Sequence, residues 1–318
     1  MDSRSAPPIL FPPRLAVGDT IGLAATASPP DDPAKTDQII GRITAQGFKI
    51  KPGKYLRRRT GYLAGSDEER AEDFNSLFAD PEVQGVFALR GGYGSCRILP
   101  LLDYASIRAH PKPFMGYSDN TALHQAILLK SGLVTFHGPN ASEAFLPENE
   151  KYCRQMLLGP FDSTKIRLFS REDENGKALK TVVPGSVTGR LIGGNMTCLL
   201  RLLGTPYAPD FKNTILFLED IGEKAYRIDG MFTHLRLAGI LSQIRGLILG
   251  GFTHSDEKEM ERIEDCLQRE AERIGVPCVS GAPIGHFPGQ ILVPHGVEAK
   301  LEAGEGTLEF MEPNNSSK

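Results

Sequence analysis

Up to about Pro139 this chain alternates short apolar runs with longer amphipathic stretches, and that order constrains its fold more than any other feature. TIGLAA, between Asp19 and Ala25, reads as a buried strand, Ser28-Pro29-Pro30-Asp31-Asp32 as a turn cluster, and Thr36 to Gln46 as a helix. FKIKPG is then a strand, Ser66 to Ala79 a helix, and VQGVFALR a strand ending at Gly91. PFMGY gives a further strand, Asn120 to Lys130 a helix, and LVTFHG a last strand. Strands alternating with helices predict an α/β class with a parallel sheet. Between Asp67 and Phe78 one helical face carries Ala71, Phe74, Leu77 and Phe78, which leaves Glu68, Glu69 and Arg70 as a solvated face.

The α/β pattern is expected to end near Pro139. Between Glu148 and Pro184 the chain turns polar, and SREDENGKALK reads as an exposed hairpin or linker. The expected division is an N-terminal α/β domain over 1–150, a linker over 151–186 and a C-terminal domain over 187–318. After Gly185 come SVTGRLIGG, the helical NMTCLLRLLG, the strand TILFLED, a helix from Met231 to Ala238 and the strand RGLILGGF. A charged helix from Glu257 to Arg273 precedes VPCVSGAP, ILVPHG and VEAKLEAGEGTLEF, which read as closing β-structure. A chain of 318 residues with 40% hydrophobic content is long enough to bury two cores.

A net charge of -3, from 36 basic and 39 acidic residues, gives no positive field for nucleic acid or anionic lipid, so neither is expected as a partner. The opening MDSRSAPPILFPPRL lacks the apolar core of a secretory signal. No run approaches the roughly 20 residues that cross a bilayer, and a cytoplasmic protein is expected. Cys96, Cys153, Cys198, Cys266 and Cys278 form no CxxC pair, and no histidine stands at zinc-ligand spacing. They read as reduced, buried fillers, with no metal expected.

The strongest chemical signal is Lys112-Pro113-Phe114-Met115-Gly116-Tyr117-Ser118-Asp119-Asn120-Thr121, where an apolar strand meets a helix with serine at the corner. A nucleophile elbow belongs at such a corner, because the turn lifts the hydroxyl off the sheet while the helix N-terminus supplies amides for an oxyanion. The competing reading is a helix cap by Ser118, Asp119 or Asn120. Asn120 also stands where a G-x-S-x-G pattern would have glycine. A second turn, Arg90-Gly91-Gly92-Tyr93-Gly94, ends another strand, so an amide of Gly91 or Gly92 could join that of Asp119 at an oxyanion. Its spacing is neither GxGxxG nor a P-loop. Seven histidines compete as base: His110, His124, His137, His234, His254, His286 and His295. Glu219 and Asp220 end an apolar strand and could orient an imidazole, as could Asp119 or Glu223.

In order along the chain, GDTIGLAATASP, ALRGGYGS, GYSDNTALH, TFHGP, GRLIGGNMTCLLRLLGTPY, ILFLEDIGEKAYRID and GAPIGH resemble the LD-carboxypeptidase family. That family includes muramoyl-tetrapeptide carboxypeptidase and the microcin-immunity hydrolases. The resemblance implies a Rossmann-like α/β domain carrying the serine and a smaller β-rich C-terminal domain, with the site in the cleft between them and a homodimer as the assembly. It also implies Ser118 as nucleophile, Glu219 as orienting acid and His286 as base. Gly230 departs from the pattern, because relatives often carry a charged residue there.

On that footing the amides of Asp119 and Gly92 would hold the oxyanion, and no cofactor is expected. Arg90 and Arg227 are the candidates for a substrate carboxylate, since a guanidinium bonds two oxygens at once. The implied substrate is a small peptide, a murein tetrapeptide ending in D-Ala after a diamino acid. The rival is a peptidyl nucleotide, against which weighs the absence of Trp, the residue immunity-type relatives often stack on the base. A third reading is a non-catalytic small-ligand binder.

Overall fold

The computed structural model describes residues 7–158, 165–169 and 179–311. They fall into two units, one of Met1–Gly159 with Leu202–Pro209, the other of Pro160–Arg201 with Asp210–Lys318. In the first unit β1 (Thr20–Ala24), α1 (Ala34–Ala45), β2 (Lys49–Pro52), α2 (Asp67–Ala79), β3 (Gly85–Ala88) and α3 (Ser95–Ile98) come first. They are followed by α4 (Tyr104–Ala109), β4 (Phe114–Gly116), α5 (Thr121–Ser131), β5 (Thr135–His137) and α6 (Pro147–Leu157). The strands lie in the order β2-β1-β3-β4-β5, every neighbouring pair parallel. In this flavodoxin-like order the winding reverses between β1 and β3, and the loops leaving those two strands open a crevice at their C-terminal ends.

Local chemistry sets the helix ends. Ser66 and Glu69 close a capping box at the start of α2, the Ser66 amide donating to Glu69 Oε2 at 2.9 Å and the Glu69 amide to Ser66 Oγ at 3.2 Å. Helix α5 ends at Gly132, whose φ of 73° an L side chain rarely adopts. Nine of the eleven residues of α5 are buried, so it runs through the interior and shows no amphipathic face. Phe74 meets Phe78 and Phe114 at ring-centroid distances of 5.0 and 5.2 Å in the same core. Leu202, 2% exposed, packs into this core from far along the chain, and Tyr207 packs against it.

The first unit departs from expectation at two places. Arg70 does not belong to a solvated face: its side chain is 0% exposed, because the loops after β1 and β3 cover this turn of α2. The polar stretch opening near Glu148 begins as α6, which buries Tyr152, Cys153, Met156 and Leu157 beneath its charges. Residues 170–178 of the expected hairpin lie outside the described residues.

The second unit contains β6 (Lys165–Phe169), β7 (Lys180–Val183), β8 (Ser186–Asn195), α7 (Met196–Leu200), β9 (Thr214–Ile221) and α8 (Ala225–Leu237). After them come β10 (Gly246–Thr253), α9 (Glu257–Ile274), β11 (Cys278–Ser280), β12 (Val293–His295), β13 (Glu298–Glu302) and β14 (Thr307–Met311). An eight-stranded sheet runs β6-β14-β13-β8-β9-β10-β11-β7. Its centre, β8 to β11, is parallel, and its flanks are antiparallel. The α/β order therefore does not end at Pro139, since α8 and α9 connect parallel strands here too. Seven of the eight residues of β9 are buried, as a parallel strand covered on both faces requires. An added Cβ at Gly230, in α8, would meet nothing within 4 Å, so that departure from the family pattern leaves the packing untouched.

The five cysteines are free, and all but Cys96 are buried. Among the described residues no helix is long and apolar enough to cross a membrane.

Candidate active site

In the first unit, β4 ends at Gly116, a 3₁₀ turn takes Ser118–Asn120, and α5 continues from Thr121. Ser118 sits at this corner with φ 63°, one of two non-glycine residues with positive φ among those described. An L residue held there stores local strain, and such strain collects where a side chain must be aimed. The residue is half-buried, whereas Asp119 and Asn120 behind it are buried. The sharp turn is fastened by amide and hydroxyl bonds. Asn120 Nδ2 donates to Asn140 Oδ1 at 3.0 Å and to the Tyr117 carbonyl at 3.2 Å, and the Thr26 hydroxyl donates to Asn120 Oδ1. The Asp119 carboxylate accepts from the Ser95 amide at 2.8 Å and the Ser95 hydroxyl at 2.7 Å. This carboxylate is thus occupied in anchoring the elbow to α3, and the elbow is a built feature more than a simple helix cap.

The turn after β3 comes against this corner. A Cβ added to Gly91 would lie 2.8 Å from Ser118 Cβ, 2.9 Å from its hydroxyl and 3.5 Å from the Asp119 amide nitrogen. Gly92, at φ 114°, leaves no room for a side chain because Ser28 Cβ and Oγ stand 2.5 Å from where its Cβ would be. Ser28, in the loop after β1, accepts from the Tyr93 amide at 3.1 Å and donates its own amide to the Gly91 carbonyl at 3.3 Å. The two loops of the winding reversal are therefore laced together beside the hydroxyl. Sequence reasoning named Gly91 and Gly92 but missed Ser28 and Asn140, which lack any local signal.

In the second unit, β9 ends on the acidic pair, and its two members have separate tasks. Asp220 accepts from Asn195 Nδ2 at 3.0 Å, its own neighbour's amide at Ile221 at 2.8 Å, and the Thr197 amide and hydroxyl at 2.9 and 2.8 Å. It is satisfied as a structural carboxylate, not an orienter. Glu219, 0% exposed, turns the other way, and its Oε2 bonds His286 Nδ1 at 2.7 Å, with the imidazole side chain 13% exposed. The approach needs Gly285: at φ 118°, its added Cβ would fall 2.8 Å from Glu219 Cβ and 2.9 Å from Oε2. Burial pushes the Glu219 carboxyl up from its usual range, against the pull of the imidazole. A carboxylate on Nδ1 fixes the tautomer that turns Nε2 outward as an acceptor.

The other candidates are placed differently. His124 is buried between the Thr135 hydroxyl at 2.8 Å and the Gly116 carbonyl at 2.7 Å, and burial brings its pKa down to about 4. His137 is 0% exposed, with its ring edge-on to Tyr117 at 6.2 Å. Glu223 faces Arg227 at 3.4 Å, and the Arg227 side chain is otherwise exposed. Arg90 donates to the Pro29 carbonyl at 2.9 Å and to Asp31 at 3.2 Å. A substrate carboxylate would have to compete with an acid at either arginine.

Domain models for the "LD-carboxypeptidase N-terminal domain" and the "LD-carboxypeptidase C-terminal domain" match residues 21–138 and 188–301. The chain is 38% identical over 300 residues to the "Probable murein peptide carboxypeptidase" of Bacillus subtilis, covering 93% of this chain and 92% of that protein. It is 30% identical over 332 residues to the microcin C7 self-immunity protein MccF of Escherichia coli, covering 96% of each. The crystal structure of muramoyltetrapeptide carboxypeptidase from Oxalobacter formigenes superposes with a TM-score of 0.78 at 30% identity, covering 92% of this chain and 99% of that one.

Proposed function

The chain belongs to the LD-carboxypeptidase family, and within it we propose a serine carboxypeptidase that releases the terminal D-Ala from a murein tetrapeptide. The observation that carries this reading is Ser118, held at φ 63° on a strand-to-helix corner beside a glycine turn. In the reaction, His286 Nε2 takes the Ser118 proton as Oγ attacks the scissile carbonyl. The C–N bond breaks, the leaving amine takes that proton, and an acyl-enzyme remains. Water, deprotonated by the same imidazole, attacks the acyl carbon; the bond from that carbon to Oγ breaks, and the imidazolium returns the proton to Ser118. Glu219 stabilises the imidazolium through its 2.7 Å bond. The amides of Asp119 and Gly92 donate to the oxyanion, where loss of one donor costs about 3 to 4 kcal/mol in comparable sites. No step calls on a metal or organic cofactor. A cytoplasmic homodimer is part of the same proposal.

Support for the tetrapeptide comes from the names of the Bacillus subtilis and Oxalobacter formigenes relatives. The likeness to MccF supports a second substrate, a peptidyl or aminoacyl nucleotide. D-Ala release from purified tetrapeptide, compared with cleavage of an aminoacyl sulfamoyl-adenylate, decides between them. Ser118→Ala and His286→Ala should each lower tetrapeptide turnover by at least about 10³-fold, and the double variant should lose little more, because the pair acts as a unit. Full turnover in Ser118→Ala would remove the nucleophile from the scheme, and tight binding without phosphonate labelling would favour a non-catalytic binder.

A further inference from the structure

We propose that Arg70 is a positioning residue for the reaction at Ser118: from within α2 it clamps the glycine turn whose amide faces the oxyanion. The inference rests on the reading of Ser118 as nucleophile. Arg70 lies in the first turn of α2, where the helix dipole opposes a cation, and its side chain is 0% exposed. A buried cation in such a placement is costly unless it is paired and hydrogen-bonded, and the bonds of its two terminal nitrogens show what it holds. Nη1 donates to two carbonyls at once, Thr26 after β1 and Gly94 after β3, the latter at 2.9 Å. Nη2 donates to Asp67, which also accepts from Arg97 Nε at 2.8 Å.

Both carbonyls belong to the elbow's surroundings. Thr26 bonds Asn120 through its hydroxyl, and Gly94 closes the turn that holds Gly91 and Gly92. Three glycines in five residues give a turn of high backbone freedom, so an amide in it is preorganised only if something outside holds it. Ser28 holds the turn from one side and Arg70 from the other. Gly94 itself has room for no side chain: at φ 122° its added Cβ would lie 3.0 Å from Arg70 Nη1 and 2.6 Å from Leu63 Cδ2. A planar fork bridges two carbonyls and a carboxylate simultaneously, which a lysine ammonium on the same helix position cannot reproduce.

The experiment compares wild type with Arg70→Lys in the full chain by two readouts. The first is the rate at which a fluorophosphonate modifies Ser118, where Oγ bonds phosphorus, the P–F bond breaks, fluoride leaves and the base keeps the proton. The second is kcat and KM for D-Ala release. Arg70→Lys is expected to slow labelling and kcat by about 10- to 100-fold, with KM changed by less than about twofold. A folded Arg70→Lys protein with both rates within about twofold of wild type overturns the proposal, as does a loss confined to KM. Should Arg70→Lys fail to fold by circular dichroism, Asp67→Asn keeps the cation but loosens its Nη2 anchor. It is expected to show the same split with a smaller loss, and an unchanged labelling rate there also overturns the proposal. Failure of wild type itself to label at Ser118 would instead sink the nucleophile reading.

Discussion

A hydroxyl at the end of a strand is useful only if nothing crowds it, and at Ser118 the space is provided by a missing side chain. Gly91 has no positive φ to maintain, so alanine fits its backbone, yet the new methyl would stand 2.9 Å from the hydroxyl. Gly91→Ala should therefore fold normally and lower kcat by roughly 100-fold, the loss expected when a reacting group is displaced by about 1 Å. Normal turnover in that variant would mean the Ser118 hydroxyl points elsewhere. Across the chain, Glu219→Gln keeps the shape but lets His286 adopt the wrong tautomer, and should reduce kcat by roughly 10⁴-fold with little change in thermal midpoint. At this scale the sequence speaks unevenly. Ser118 declares itself through a strand, a corner and a helix within ten residues. Glu219 and His286 stand 67 positions apart, and no spacing rule pairs them, so only the family resemblance suggested the partnership. Arg70 was misread for a related reason: a helical wheel says which way a side chain leaves its helix, not which loops will later cover it.

At the scale of elements, α2 carries a second buried charge. Asp73, 3% exposed, accepts from the Tyr55 amide at 2.9 Å, and burial raises its pKa to about 6. The folded state holds this proton more tightly than the unfolded chain, whose aspartate titrates near 3.9. The associated stability is thus fully present below about pH 4 and is lost as pH rises to about 6, a change of order 3 kcal/mol. Urea unfolding of Asp73→Asn should lack this decline, so the variant gains on wild type between pH 4 and 7; parallel stability curves would refute it. The elements of the first unit could be read in order because each strand is a short apolar run between polar helices. The exception in that unit is α6, which was hidden by charges on its outer face. The parallel centre of the second sheet was hidden because the strand order joining β8 to β11 depends on contacts made far apart in sequence, while each segment alone reads equally well as antiparallel.

On the scale of the whole molecule, the first core is not built from one continuous stretch. Leu202 is 2% exposed within it, and Tyr207 stacks near Tyr104 at a centroid distance of 6.4 Å. Leu202→Ala should cost about 2 to 5 kcal/mol, read by urea unfolding, which is the range for emptying a buried leucine site. A loss below about 0.5 kcal/mol, as for a surface change, would show that this return segment is not part of the core. A ribosome releases residues 1–159 before the piece that seals them, and at about 5–20 residues per second the missing Leu202–Pro209 arrives roughly 2 to 10 seconds later. For that interval the nascent first half lacks a piece of its own core and leaves the Tyr104 ring without the Tyr207 ring beside it, so completion of the first unit waits on synthesis of part of the second.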